Sequence, residues 1–478
     1  MKAFLEYFRC PEEYAPFSVP ASPAGKAAYF RFGPETICFG RSGAGNGSDE
    51  PGRKLDDVLA QVRIDGSLCA LPFDPSEVVD NLRTERYVNG HHMSATTPGI
   101  RKTARKAYGY ARPFLPRLLR RSLQRLHLHG WKGIDFPNWP VDRNVDRIFE
   151  QLLVLSLKTL RVPAIPFIWF WPDGYSSCAL MTHDVESTAG RDFCSQLMLL
   201  DERRGIKSAF QIIPEDRYEV TPEFLESIRE RGFEINVHDL NHDGNLFSER
   251  GQFLRRADRI NEYVRRFSCA GFRSGVLYRN PEWYDAFEFS YDMSIPCVAH
   301  LEAQRGGCCT VMPFFIGKIL ELPLTTSQDY ALFHLLDDYS LEIWMRQIRL
   351  VMKGHGLASC IVHPDYVIEK RARRSYESLL DFLAHLRAQE NLWLPLPRDV
   401  DRWWRERSAM RLVTKGGSWQ IEGAGNERAR IAWASLEGER LVYSLDRQDR
   451  SGEPAEPRSG SGAKSSQPTF SFSASKQA

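Results

Sequence analysis

Short apolar runs alternate with stretches of helical periodicity between about Phe167 and Trp393. Eight of these runs read CALMT, SAFQII, FEINV, CAGF, DMSIP, LELPL, ASCIV and LWLPL. Runs of this length between turn residues indicate buried strands, and Thr221-Pro222 has the form of a helix N-cap followed by the first helical residue. Strands that alternate with helices predict a parallel α/β sheet. Eight strands over about 230 residues favour a closed (β/α) barrel over a long open sheet.

Segments of different character flank this region. Residues 1–160 mix short strand-like runs with polar loops and predict an α+β region, whereas residues 409–450 read as a small extension of antiparallel strands joined by glycine turns. We therefore expect the barrel to occupy residues 161–408. Residues 451–478 are rich in serine, glycine and proline. They predict a disordered tail, because they have too few apolar side chains to offset the entropy of ordering.

Ionisable side chains follow four of the apolar runs directly. They are His183, Asp184 and Glu186 after CALM, His238 after FEINV, Arg273 after CAGF, and His363 after ASCIV. Because the carboxyl ends of all strands in a parallel barrel share one face, these side chains are predicted to lie close together there. A loop that only needed to be soluble could use Ser, Asn or Gly instead. The pattern therefore indicates an active site, with His183 expected to pack on the opposite side of its strand from Asp184.

Two histidines four residues apart, His238 and His242, have a spacing that suits two ligands of one metal ion. Such a pair is often incidental, and the neighbouring strand ends are what favour a metal site here. A carboxylate would complete a ligand set that leaves positions open for water and substrate. Asp184 and Glu186 are both candidates, since residues two apart in an extended chain face the same side. One of them could bind the metal while the other accepts a proton.

The composition excludes several classes of protein. With 42% hydrophobic and 26% charged residues, the 478-residue chain can bury a large core. Its 63 basic and 61 acidic residues give a net charge of +2, so no overall attraction to nucleic acid is expected. Ten cysteines without a CxxC pair indicate reduced thiols rather than a disulfide scaffold. The first residues lack the apolar core of a signal peptide, and we expect a soluble, cytoplasmic protein.

Residues from about 167 to 395 resemble the polysaccharide deacetylase family, also known as the NodB-homology or carbohydrate esterase family 4 domain. The first family motif, T-F-D-D, is similar to the T-H-D-V-E stretch that begins at Thr182, and the second, H-[ST]-x-x-H, to H-D-L-N-H from His238. The third, R-x-P-Y, is represented by R-S-G-V from Arg273, and the fifth, L-x-H, by I-V-H ending at His363. The resemblance implies a distorted (β/α) barrel of NodB type.

The sequence departs from the family pattern at three places. Val185 stands where the family has a metal-binding Asp, so we assign that role to Glu186, as in D-x-E variants of the superfamily. The proline and tyrosine of the third motif are missing after Arg273. The fourth motif is represented at most by Asp292 in the DMSIP run. The stretch Thr325–Tyr330, after LELPL, is a further candidate for hydrogen bonds to substrate.

The resemblance implies a role for each residue around the metal. Glu186, His238 and His242 would hold a divalent ion, which lowers the pKa of the attacking water and polarises the amide carbonyl. Asp184 would be the general base, and Arg273 would orient its carboxylate. Zinc is the expected metal, with cobalt, nickel, iron or manganese as alternatives.

The resemblance also implies an acid. His363 would protonate the leaving amine. Asp292 would orient His363, although a role as a helix or turn cap is the simpler interpretation of that residue. The predicted activity is metal-dependent removal of an N-acyl group, expected to be acetyl, from a sugar or glycan.

Two other functions stay open at this point. The missing R-x-P-Y motif leaves room for hydrolysis of another non-peptide C–N bond, in a formyl-sugar or a cyclic amide. A catalytically inactive carbohydrate-binding homologue is disfavoured, because a binding module does not need a base, a full ligand set and an acid together.

A basic segment lies ahead of the barrel. Residues 101–132 hold seven arginines, three lysines and no acidic residue, with leucines spaced mostly by three or four in the second half. This pattern predicts a basic amphipathic helix. Its simplest role is to pack on the barrel by its leucine face. The alternative hypothesis is contact with the anionic inner face of a membrane, which would favour a lipid-linked glycan as substrate.

Overall fold

The computed structural model describes residues 1–20, 25–43, 47–52, 54–89 and 130–445. The predicted tail lies outside the described residues. So does the predicted basic helix, except for residues 130–132. Gly130 is the N-cap of a short 3₁₀ turn, Trp131–Gly133, which includes the other two. Among the described residues, no helix combines the length and the apolar character needed to cross a membrane.

Helices and strands alternate through most of the described chain. The nine α-helices in the described ranges are α1 Lys2–Phe8, α2 Pro75–Arg83, α3 Asn144–Leu160, α4 Thr188–Glu202, α5 Pro222–Arg229, α6 Arg250–Arg266, α7 Glu342–Met352, α8 Lys370–Gln389 and α9 Pro397–Ala409. As the sequence predicts, α5 begins at Pro222, and its N-cap Thr221 accepts a hydrogen bond from the Phe224 amide. A π-helical turn, Tyr330–Leu336, precedes α7.

The strands outside the central sheet form the N-terminal region and the C-terminal extension. They are β1 Phe17–Ser18, β2 Ala28–Arg31, β3 Ile37–Gly40, β4 Arg63–Asp65, β5 Leu68–Ala70, β6 Ala164–Ile168, β16 Arg411–Lys415, β17 Ser418–Glu422, β18 Ile431–Glu437 and β19 Arg440–Leu445. β1, β5 and β4 form one small sheet, β2 and β3 a hairpin, and β16 and β17 another hairpin. β18 pairs with both β19 and β6, so the chain just before the barrel joins the C-terminal extension.

The central sheet contains all eight of the predicted strands. Its members are β7 Ser177–Val185, β8 Ala209–Ile212, β9 Glu234–His238, β10 Gly271–Arg273, β11 Tyr291–Asp292, β12 Phe314–Ile316, β13 Ile319–Glu321, β14 Leu357–Ile361 and β15 Leu392–Trp393. The order is β12-β13-β11-β10-β9-β8-β7-β14, with β15 beside the start of β7. Every pair is parallel except β12–β13, and β12 is the one member that the sequence did not indicate. The predicted α/β fold with a parallel sheet is confirmed.

The barrel is distorted where its two ends meet. Among the described strands, β13 and β14 do not pair with each other. Instead, the threonines that follow β13 hydrogen-bond to β14 through their side chains. Thr325 Oγ1 donates to the Leu357 carbonyl over 2.7 Å and accepts from the Ser359 amide over 2.9 Å, and Thr326 Oγ1 donates to the Ser359 carbonyl over 2.8 Å. We call this junction the threonine seam.

The N-terminal region and the C-terminal extension share a core with the barrel. The Phe8 ring on α1 lies 5.4 Å from the Phe167 ring on β6, which lies 5.3 Å from the Tyr443 ring on β19. On α9, the buried Arg407 guanidinium donates to the carbonyls of Tyr7 and Ile168 over 2.9 and 2.7 Å. The described residues up to Leu445 form one compact unit. The boundaries proposed at residues 160 and 408 stay predictions.

Candidate metal centre and active site

The ionisable residues predicted at the strand ends lie together at the carboxyl face of the sheet. Asp184 is next to last in β7, His238 ends β9 and Arg273 ends β10, while His363 follows β14 by two residues. All nine residues of β7 are buried, as expected for a strand covered on both faces. The site is therefore built on rigid, paired strands.

Glu186, His238 and His242 form the candidate metal centre. One ligand atom from each lies within 4.8 Å of the other two. Glu186 Oε1 is 2.9 Å from His242 Nε2 and 3.7 Å from His238 Nε2. The predicted ligand set is thus brought together in space.

The nitrogen atoms of this centre fit a divalent metal. The Nε2 atoms of His238 and His242 are buried and have no hydrogen-bond partner among the described residues, and the short contact from His242 to Glu186 lacks hydrogen-bond geometry. A buried polar atom without a partner costs free energy, and a shared cation would supply the missing interaction. Two imidazoles and one carboxylate are also a donor set that zinc and similar ions accept in open sites.

Asp184 is the carboxylate beside this centre. Its Oδ1 accepts a hydrogen bond from Arg273 Nη1 over 2.5 Å, and its Oδ2 lies 3.7 Å from His238 Nε2. Burial alone would raise the pKa of Asp184, but the Arg273 guanidinium and then His238 outweigh it and lower this pKa. Asp184 is therefore an anion at neutral pH, as a general base requires.

Arg273 is fixed by three groups at once. It is fully buried, and its Nε donates to the Met293 carbonyl over 3.0 Å. Nη1 donates both to Asp184 and, over 2.9 Å, to Thr182 Oγ1. The structure therefore places Arg273 beside Asp184, the carboxylate that it was predicted to orient.

Glu186 is also an anion. Burial raises the pKa of Glu186, but the neighbouring imidazoles, His242 foremost and then those of His238 and His363, hold this pKa well below the usual range. Ser187, the N-cap of α4, follows it directly. The carboxylate thus stands at a helix N-terminus, which favours negative charge.

His363 lies on the Glu186 side of the centre, with its Nε2 3.4 Å from Glu186 Oε1. Its Nδ1 donates to Asp329 Oδ1 over 2.6 Å, and its backbone amide donates to Asp329 Oδ2 over 2.7 Å. Burial lowers the pKa of His363, but the fully buried Asp329 carboxylate outweighs that effect and raises the pKa well above its ordinary value. His363 therefore carries a proton at neutral pH, as a general acid requires.

Asp329 was not among the predicted site residues, and it corrects the role expected for Asp292. Asp292 Oδ1 accepts a hydrogen bond from Ser294 Oγ over 2.6 Å, and Asp292 is in register with Glu321 on β13. The only signal for Asp329 in the sequence is its place in the Thr325–Tyr330 stretch after a strand. That stretch supplies the threonine seam and the partner of His363.

His183 packs behind the strand, as expected for its position. Its Nδ1 lies 3.0 Å from the Val362 carbonyl and its Nε2 lies 3.2 Å from Asp201 Oδ2. Asp201 also accepts hydrogen bonds from Ser208 and Tyr376. This network ties β7 to the chain just before His363 without entering the site.

Comparison with known proteins finds similarity among solved structures. No family model and no curated protein matches the chain. A protein described as a polysaccharide deacetylase from Mycobacterium smegmatis is 17% identical, with a TM-score of 0.41, over 50% of this chain and 93% of that one. The Puue allantoinase is 10% identical, with a TM-score of 0.39, over 49% and 92%. Peptidoglycan deacetylase PdaC from Bacillus subtilis is 12% identical, with a TM-score of 0.33, over 50% and 96%.

Polysaccharide deacetylases are thus among the structural neighbours of this chain. The identities and TM-scores are low, and each alignment covers about half of the chain. The side chains of the site are therefore the basis for inferring the function.

Proposed function

We propose that this chain is a metal-dependent hydrolase that removes an N-acyl group, expected to be acetyl, from a sugar or glycan. The observation that carries the proposal is the pairing of opposite charges around one candidate metal centre. The anionic Asp184 lies beside His238, and the protonated His363 lies beside Glu186. A protein that only bound carbohydrate would have no use for a base and an acid held in these charge states.

Glu186, His238 and His242 would hold the metal, and we propose zinc because two imidazoles and one carboxylate are a ligand set of open, catalytic zinc sites. Cobalt, nickel, iron and manganese accept similar sets. When bound, the ion lowers the pKa of water and polarises the amide carbonyl. The remaining steps belong to side chains of this chain.

In the proposed reaction Asp184 takes a proton from water while the water oxygen bonds to the acyl carbon. Because Arg273 holds Oδ1, the proton goes to Oδ2. The C–N bond then breaks, and His363 Nε2 gives its proton to the leaving nitrogen, while Asp329 keeps Nδ1 in place. The products are a carboxylic acid and the free amine of the sugar.

The test separates the base and the acid from the metal ligands. Asp184→Asn and His363→Gln are expected to keep stoichiometric zinc by elemental analysis, while acetate release from N-acetylated sugars falls about 100-fold or more. Glu186→Gln is expected to lose zinc and activity together, with partial recovery in excess metal. If Asp184→Asn lost the metal and Glu186→Gln kept it, the two carboxylates would exchange roles.

The same assay distinguishes the other candidate activities. Release of formate, or opening of a cyclic amide, without release of acetate would favour the other C–N hydrolases. Zinc uptake without turnover of any N-acylated sugar would favour a carbohydrate-binding protein. Lipid linkage of the glycan and membrane contact through residues 101–132 stay predictions from the sequence.

A further inference from the structure

Arg217 contacts His242 at the ring nitrogen that faces away from the candidate metal centre. Arg217 Nη2 lies 3.2 Å from His242 Nδ1, whereas His242 Nε2 lies 2.9 Å from Glu186 Oε1. The same Nη2 donates to the His242 carbonyl over 2.8 Å, and Arg217 Nε donates to the Asn241 carbonyl over 3.3 Å. Three contacts therefore fix the guanidinium behind this ligand.

A guanidinium can only donate hydrogen bonds. To accept from Arg217, Nδ1 of a neutral His242 ring needs its lone pair, and the ring proton then sits on Nε2. For Nε2 to act as a metal ligand, the proton has to sit on Nδ1 instead, and two donors then face each other across 3.2 Å. The contact with Arg217 consequently opposes the tautomer that binds metal.

His238 has the opposite arrangement. Its Nδ1 donates to the Arg273 carbonyl over 3.0 Å, which leaves the Nε2 lone pair directed to the centre. An acceptor behind a ligand histidine orients the ring and raises its basicity, and this is the common arrangement at metal sites. The two histidines of this centre therefore differ in the group behind them, an acceptor for His238 and a cation for His242.

We propose that Arg217 weakens the bond from His242 to the metal. The centre would then bind its ion less tightly than the same three ligands would with an acceptor behind both histidines. This inference rests on the metal centre of the proposed function and extends it to a residue outside the ligand set. Arg217 is a positioning residue rather than a catalytic one, because its contacts are to His242 and Asn241.

Arg217 has a second effect, which the test has to separate. His242 has a left-handed backbone with φ of 57°, and the carbonyl contacts of Arg217 hold this turn. Loss of the turn would weaken metal binding, whereas loss of the cation behind Nδ1 would strengthen it. The two effects have opposite signs, so the direction of the change in affinity decides between them.

The experiment measures zinc affinity by competition with a chromophoric chelator, on the full chain and without substrate. Arg217→Met is expected to lower the zinc Kd by roughly tenfold, the lower end of effects seen for groups behind metal ligands. Arg217→Lys, which keeps a cation able to donate to the carbonyl, is expected to stay near the wild-type Kd. Arg256→Met is the matched control, because Arg256 pairs with Asp243 over 2.7 Å next to His242 but does not touch the ring.

The outcomes are distinct. An unchanged or higher Kd in Arg217→Met would overturn the inference and leave Arg217 as a support of the turn. Equal tightening in Arg256→Met would attribute the effect to net charge and would also overturn it. Zinc binding in the wild type without acyl release from any sugar would contradict the proposed hydrolase while leaving this inference intact. A wild type that took up no zinc would contradict both.

Discussion

At the level of single residues, Asp329 contributes more than Glu186 to keeping the proton on His363. Burial disfavours the imidazolium, yet Asp329 accepts from both the ring and the backbone amide of His363 and raises the pKa of the ring well above its usual value. Asp329 also accepts from the Tyr330 amide over 2.8 Å, which fixes its own position. Asp329, which raises the pKa of the proposed acid His363, therefore lies on another part of the barrel.

Removal of the Asp329 charge is expected to shift the pH dependence of activity. In Asp329→Asn, burial of His363 remains while the stabilising anion is lost, so the pKa of His363 falls. Because the protonated ring is the active form of the acid, the basic limb of kcat/KM is expected to move to lower pH in the zinc-loaded enzyme. The measurement is a pH profile of acetate release, with zinc content determined in parallel.

Asp292→Asn is the control, because its carboxylate is bound by Ser294 and lies beside Glu321. Its basic limb is expected to match that of the wild type. A shift in Asp292→Asn and none in Asp329→Asn would restore the role that the sequence first suggested for Asp292.

At the level of elements, the pattern of apolar runs was sufficient to predict all eight parallel strands and the face on which their ends meet. Four residues of the site could be predicted from their positions in the sequence. Asp184 and His238 lie at the end of a strand, Glu186 directly follows one, and His242 lies at ligand spacing from His238. The sequence placed Asp329 in the candidate stretch Thr325–Tyr330 but could not predict its pairing with His363, since 34 residues separate the two and no periodic pattern links a loop residue to a distant strand end. The antiparallel β12, Phe314–Ile316, was also missed.

The missing proline of the third motif has a physical explanation in the loop after β10. A Cβ on Gly275 would collide with Asp239 Oδ2 and lie 3.0 Å from His242 Cδ2. Asp239 is fully buried, and its Oδ1 accepts from the Leu240 amide over 2.7 Å. Asp239 therefore fills the space that a larger side chain at position 275 would need.

Gly275→Ala is expected to damage the metal centre. The added methyl group has to displace either the Asp239 carboxylate or the His242 ring, and a displaced ring no longer faces Glu186. We expect a zinc Kd at least about tenfold higher by chelator competition. Gly133→Ala is the matched control, because no atom of the described residues lies within 4 Å of a Cβ at that position. Equal affinities in the two variants would show that the loop adjusts without moving His242.

At the level of the whole molecule, Arg407 joins the N-terminal region to the barrel. Its guanidinium is buried and donates to carbonyls of α1 and β6 and, over 2.9 Å, to that of Trp169. The acceptors at the end of α1 are carbonyls that the helix itself leaves without a partner. A single side chain on α9 thus donates hydrogen bonds to backbone carbonyls of both α1 and β6.

Arg407→Met is expected to lower the free energy of unfolding by about 3 kcal/mol, since several buried carbonyls lose their donor. The loss would be measured by urea denaturation followed by tryptophan fluorescence. Arg402→Met, on the same helix with an exposed side chain, is the control and is expected to change stability by less than about 0.5 kcal/mol. A similar small change in both variants would mean that water or other donors replace the guanidinium.

The threonine seam has a consequence for how such a scaffold can change over evolution. The metal side of the site is built on β7, β8, β9 and β10, which are joined by continuous backbone ladders whose register cannot slip without reversing every side chain. His363 follows β14, which pairs with β7 through the same kind of ladder. The segment that carries its partner Asp329 is instead attached to β14 through the hydroxyl groups of Thr325 and Thr326, with no ladder whose register it has to keep. Insertions and substitutions are therefore expected to be tolerated more readily in the segment beyond the threonine seam than in the paired strands, so the surroundings of the acid can diverge there while the ligand set stays intact.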